Sequence, residues 1–175
     1  GAFKMTVPSA NQFPTLGFQP GLTDKFYANR SELLWDIADI IKAEITALAA
    51  DGVPYIQIDA PRYAYYVDPK WRQHLVDLGE DPDKLLDEAV AADAFCFAAA
   101  AGSGALTALH VCRGNNQSMW YAQGGYEPIA EQLFANIKVD RLLLEYDSER
   151  SGSFEPLRFV RPETVVVLGL VSTKE

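Results

Sequence analysis

His110 and Cys112 are the residues whose types and spacing most directly suggest chemistry. They close an apolar run, Leu106-Thr107-Ala108-Leu109-His110-Val111-Cys112, and Arg113-Gly114-Asn115 follows at once. On a strand, residues two apart project to the same side. An imidazole and a thiol then stand together where a buried strand opens into a loop, which is half of a tetrahedral zinc site. Core packing gives the same pattern, because cysteine is commonly buried as a small hydrophobe. Two further apolar runs end in acids: Tyr55-Ile56-Gln57-Ile58 delivers Asp59 ahead of Pro61, and Arg141-Leu142-Leu143-Leu144 delivers Glu145. Each acid also has an ordinary reading, Asp59 as a turn former and Glu145 as a solvated strand end.

The elements that must position these residues alternate between strand and helix. Phe3 to Pro8 alternates and stops at proline, as a short strand does. A loop rich in Pro and Gly runs from Ser9 to Gly21, and a loop of that length is either functional or a plain connector. Leu34, Ile37, Ile41, Ile45 and Leu48 recur at helical spacing within Thr23 to Ala50, with Ser31 as candidate cap and Gly52 as stop. Tyr63, Tyr65 and Tyr66 read as a surface loop packing its own rings. Helices are predicted over Pro69 to Leu78, from Asp81-Pro82 to Ala101, and over Tyr126 to Asn136. Cys96, between Phe95 and Phe97, reads as core, and Val165 to Val171 is the last strand. Strand, helix, strand is the unit of a parallel α/β sheet. In such sheets the strand C-termini share one rim, where ligands bind. Asp59, His110, Cys112 and Glu145 are therefore expected to converge. Histidine, cysteine and glutamate are acceptable zinc ligands, and a thiolate-poor site with an open position suits substrate activation.

Composition narrows the classes. The chain has 175 residues, so it is one domain or part of one, and 49% of them are hydrophobic. With 15 basic and 24 acidic residues the net charge is -9, which argues against a nucleic-acid partner. No apolar run reaches the length of a membrane span, and the first residues lack a signal peptide's pattern. Cys96 and Cys112 make no disulfide framework, so a reducing cytoplasm is expected.

Four stretches, taken together, resemble the catalytic domain of cobalamin-independent methionine synthase. They are Tyr-Ile-Gln-Ile-Asp-x-Pro (55–61), His-x-Cys-Arg-Gly-Asn (110–115), Leu-Glu-Tyr-Asp (144–147) and Val-Val-Leu-Gly-Leu-Val-Ser-Thr-Lys (166–174). The resemblance implies a (β/α)8 TIM barrel, of which residues 1–175 would form about the C-terminal half as a partial catalytic domain. It implies zinc held by His110, Cys112, Glu145 and a second cysteine beyond Lys174, with the three tips a few ångströms apart. It implies methyl transfer from a methyl-folate to the thiol of homocysteine. Asp59 would hold the amino group of that amino-acid thiol, with Ser9 and Asn115 as further substrate-binding candidates. The family usually has Glu after the strand's Asp, and Ala60 stands there in this chain. A related branch of the family joins coenzyme M to epoxides, so another small thiol is an alternative acceptor. A non-catalytic half-barrel is a third reading. A half-barrel leaves sheet edges open, so self-association or pairing with the missing half is expected.

Overall fold

The structure is a computed structural model and describes residues 3–172. Thr173 and Lys174, the end of the last motif quoted above, lie outside the described residues. Five strands form one sheet: β1 (Met5–Pro8), β2 (Tyr55–Asp59), β3 (Leu106–Val111), β4 (Arg141–Glu145) and β5 (Val165–Gly169). They lie in sequence order, and every neighbouring pair is parallel. A doubly wound sheet reverses its order at a switch point. This one does not, so its connections all progress in one direction, as in singly wound α/β folds.

The connections hold α1 (Pro14–Gly17), α2 (Arg30–Ala50), α3 (Ala64–Val67), α4 (Pro69–Asp77), α5 (Pro82–Phe97) and α6 (Glu127–Asn136). Their starts follow ordinary capping chemistry. The Asn29 side chain accepts from the Glu32 N–H at 2.9 Å, and Glu32 reaches back to the Ala28 N–H. Ser31, the expected cap, lies inside α2, where its hydroxyl donates to Glu88. A cap needs extended backbone, and Asn29 has it, with φ -161°. The stretch before it, Thr23–Lys25, is a separate 3-10 turn. Asp68 caps α4 and Asp81 caps α5, each followed by proline at the first helical position. The α-helical run from Pro82 ends at Phe97 and tightens to a 3-10 turn over Ala98–Ala100.

Strand parity decides what each side chain does. Ile56, Ile58, Leu109, Val111, Leu142 and Leu144 join the core with Ile41 and Ile45 of α2, Val90 of α5 and Leu133 of α6. The alternate positions, Gln57, Asp59, His110, Leu143 and Glu145, project to the opposite face. The register puts Asp59 beside His110, and His110 beside Leu143.

Two expectations are corrected. Tyr63, Tyr65 and Tyr66 are not a surface loop; all three are buried, at 0%, 2% and 1% exposure. Their rings supply apolar area and each hydroxyl has a partner, so burial costs little. The Tyr63 hydroxyl donates to Asp93 at 2.9 Å and the Tyr66 hydroxyl to Asn11 at 3.1 Å. Tyr65 stacks on Trp71 with ring centroids 4.0 Å apart. The loop after β1 is not irregular either: it holds a 3-10 turn, Ala10–Gln12, and α1. Cys96 is buried as expected, and burial pushes its thiol up to about 12. No helix among the described residues is long and apolar enough to cross a membrane.

Candidate active site

A cavity of about 600 Å³ opens at the C-terminal ends of the strands. Asp59, His110, Cys112, Asn115 and Glu145 all line it, together with Gln12, Arg62, Tyr121 and Leu143. Parity and register account for the convergence. Asp59 ends β2, His110 is the penultimate residue of β3, and Glu145 ends β4, all on one face of three adjacent strands. Cys112 follows β3 directly and keeps the side of His110.

The Asp59 carboxylate contacts Nδ1 of His110 through Oδ1. Both side chains are partly exposed, at 40% and 34%. A carboxylate on one imidazole nitrogen fixes ring orientation and tautomer and directs the other nitrogen to a ligand. The Cys112 sulfur accepts from the Gly114 N–H at 3.3 Å. Gly114 has φ +81°, and a Cβ there would overlap the Tyr121 ring, so glycine is required at this turn.

Glu145 is 7% exposed and strongly held. Its Oε2 accepts from the Arg113 N–H at 3.1 Å, and its Oε1 pairs with Nη2 of Arg150 at 2.9 Å. Arg150 also reaches both Asp147 oxygens, at 3.0 and 2.9 Å, and lies over the Trp120 ring at 4.9 Å. Burial opposes charge on Asp147, but the Ser151 hydroxyl and the Arg150 charge outweigh it and hold that carboxyl below its ordinary range. Arg113 is fully buried; its guanidinium donates to the Gly124 carbonyl at 2.8 Å and lies 4.0 Å over the Tyr126 ring. Burial pushes the Tyr126 hydroxyl up to about 12, so it stays protonated and donates to the Val111 carbonyl at 2.7 Å.

The sequence-predicted residues separate into two groups. Asp59, His110, Cys112, Asn115 and Glu145 share the cavity. Ser9 does not line it. Its hydroxyl donates to Asp93 at 2.8 Å, and its N–H donates to the Asp59 carbonyl at 2.8 Å, so it ties β2 to α5 from behind. The expected closing of three ligand tips is not seen. Among the described residues no group of three His, Cys, Asp or Glu side chains stands ready to hold a metal ion. Arg150 and the Arg113 N–H hold Glu145, and Asp59 contacts His110 through Nδ1 alone. In donor chemistry the nitrogen, sulfur and oxygen facing this cavity do fit zinc.

Sequence reading did not single out Arg62, Tyr121 or Gln12. Arg62 had a usable signal, because it directly follows the Asp59-x-Pro61 strand end. Tyr121 had none, since its approach depends on how residues 113–125 fold back: its N–H donates to the Arg113 carbonyl at 3.1 Å and its hydroxyl to the Pro61 carbonyl at 3.1 Å.

The fold is that of a parallel α/β domain with a cavity at its strand C-termini, where such folds bind ligands. Residues 23–174 match the family of cobalamin-independent synthase catalytic domains, and the chain belongs to that family. Two proteins of Bacillus subtilis are similar over almost the whole chain: the uncharacterized YxjH, 38% identical over 173 residues, and the uncharacterized YxjG, 39% identical over 174. The match covers 98% of this chain and 45% of each relative, so the chain spans less than half their length. A solved structure from Listeria monocytogenes, described as a candidate vitamin-B12-independent methionine synthase, is also similar. It superposes with a TM-score of 0.68 at 27% identity, over 97% of this chain and 46% of that one.

Proposed function

We propose that this chain is the thiol-activating part of a zinc-dependent S-methyltransferase, moving a methyl group from a methyl-folate to homocysteine to form methionine. Its five strands would be an arc of a (β/α)8 barrel. The observation that carries the reading is the Asp59–His110 pair, which shares a strand-end cavity with Cys112 and Glu145. His110, Cys112 and Glu145 would hold the zinc. When bound, zinc lowers the pKa of a coordinated thiol so that it reacts as the thiolate near neutral pH. Asp59 keeps the His110 ring turned and accepts on Nδ1, which leaves Nε2 as the donor to a metal. The Gly114 N–H donates to the Cys112 sulfur and holds it facing the cavity. Glu145 would offer a carboxylate oxygen to the metal, with Arg150 also paired to Asp147.

A second reading is a half-barrel that only associates. The engagement of Glu145 by Arg150 and by the Arg113 N–H favours it. Zinc content and methyl transfer in the intact protein separate the two. The enzyme reading expects about one zinc per chain, and loss of both zinc and thiol methylation in Cys112→Ser, because the thiolate is the softest ligand present. Unchanged zinc content in that variant would return His110 and Cys112 to the role of core residues. Parallel assays with homocysteine and with coenzyme M identify the acceptor.

A further inference from the structure

We infer that Arg62 is the carboxylate-recognising residue of this cavity, so that a substrate bound there carries a free carboxylate; this rests on the methyl-transfer reading above. The acids of the cavity already have basic partners: Asp59 contacts His110, and Glu145 pairs with Arg150. Arg62 is the one arginine or lysine among the described residues lining the cavity, and it has no carboxylate partner among them.

The surroundings hold the guanidinium in place without neutralising it. Nη1 donates to the Tyr65 hydroxyl. The Tyr65 and Tyr121 rings lie 4.8 and 5.8 Å from the guanidinium carbon. The position is set by backbone, since the 3-10 turn Pro61–Tyr63 follows β2 directly and the Tyr121 hydroxyl is tied to the Pro61 carbonyl. Nε is buried and has no hydrogen-bond partner among the described residues. A buried donor left unmade is costly, and a guanidinium kept charged beside aromatic rings pairs well with a carboxylate. Arg62 and Tyr121 line the same cavity as His110 and Cys112. A small molecule with sulfur at one end and a carboxylate at the other suits that pairing.

The carboxylate has two possible sources, the thiol acceptor and the glutamyl end of a folate donor, and titration of the zinc-loaded intact protein distinguishes them. The probes are 3-mercaptopropionate, 2-mercaptoethanol, propionate and p-aminobenzoylglutamate. Wild type should bind 3-mercaptopropionate about tenfold or more tighter than 2-mercaptoethanol, as a charge-assisted bond predicts. Arg62→Gln should abolish that preference and leave 2-mercaptoethanol binding unchanged, while Arg62→Lys should restore part of it. If only p-aminobenzoylglutamate loses affinity in Arg62→Gln, the carboxylate is the donor's and Arg62 still receives it. If wild type shows no preference for a carboxylate in any probe, or Arg62→Gln weakens 2-mercaptoethanol equally, the inference is overturned. Propionate binding as tightly as 3-mercaptopropionate would leave Arg62 standing and sink the thiol reading instead. Should Arg62→Gln fail to fold, the wild-type comparison and Arg62→Lys carry the same decision.

Discussion

Asp59 illustrates how one side chain can be claimed by two roles. Family resemblance assigns it to the amino group of a substrate, whereas its Oδ1 contacts Nδ1 of His110. Adjacent register positions on β2 and β3 make that contact hard to avoid. Its first effect should therefore pass through the imidazole. If His110 holds zinc as proposed, Asp59→Asn is expected to weaken zinc binding by about tenfold to a hundredfold, the usual cost of losing a carboxylate behind a histidine ligand. Competition with a chromogenic chelator measures this directly. Unchanged zinc affinity, with acceptor binding alone weakened, would return Asp59 to the substrate.

Elements are held around the site by contacts that tolerate little change. Gly152, with φ +79° and ψ -163°, ends the turn Glu149–Ser151, and its Cα meets Gly125 at the end of the loop that carries Tyr121. A Cβ on Gly152 would lie 2.5 Å from the Gly125 Cα, backbone against backbone. Gly152→Ala should cost about 3 kcal/mol or more, because it adds a clash to a conformation that is essentially glycine-only. Urea unfolding would show it, as would weaker zinc or substrate binding through displaced loops. Asp93 on α5 is the second such point. It is fully buried and accepts from the Ser9 hydroxyl at 2.8 Å and the Tyr63 hydroxyl at 2.9 Å. Burial raises its carboxyl from 3.8 to about 6, against the pull of those hydrogen bonds. Between those values the folded chain holds a proton that the unfolded chain has lost. The contribution of Asp93 to stability is thus fully present below the unfolded value and is lost as pH rises through about 6. Its full extent is on the order of 3 kcal/mol. Unfolding midpoints followed from about pH 4 to about pH 7 should fall less steeply in Asp93→Asn than in wild type. An identical slope would place the titration elsewhere.

At the scale of the whole molecule, the sheet has two edges, β1 and β5. The β5 side is poorly covered: Val165, Val167 and Leu168 are 57%, 41% and 38% exposed, and Leu170 just beyond is 55% exposed. An edge strand with apolar side chains in water is a template for pairing. The 175-residue chain prepared alone should sediment as a dimer or larger species. Val167→Lys should shift it toward monomer, because a charge on an edge strand discourages edge-to-edge pairing. A monomer in sedimentation at concentrations of tens of micromolar and above would sink this expectation.

The sequence alone placed β2 and β4 at their observed bounds and β3 within one residue of its end, because short apolar runs bounded by polar punctuation leave little choice of element. It also placed Asp59, His110, Cys112 and Glu145 on one rim, because parallel strands share direction and side-chain parity is local. Tertiary structure decided which partner each of these groups has. Arg150 lies on a later turn than Glu145 yet takes its carboxylate, and Arg113, inside the motif, turns inward to Tyr126. The tyrosines at 63, 65 and 66 read as surface residues from composition and are core in the fold, because Asp93, Asn11 and Trp71 meet them there. Ser9 sits at a strand end like the other candidates, but its hydroxyl is committed to Asp93, 84 residues away in the chain. Long-range pairing of polar groups has no periodicity to betray it, so strand, helix and rim could be read from the chain while the wiring of the cavity could not.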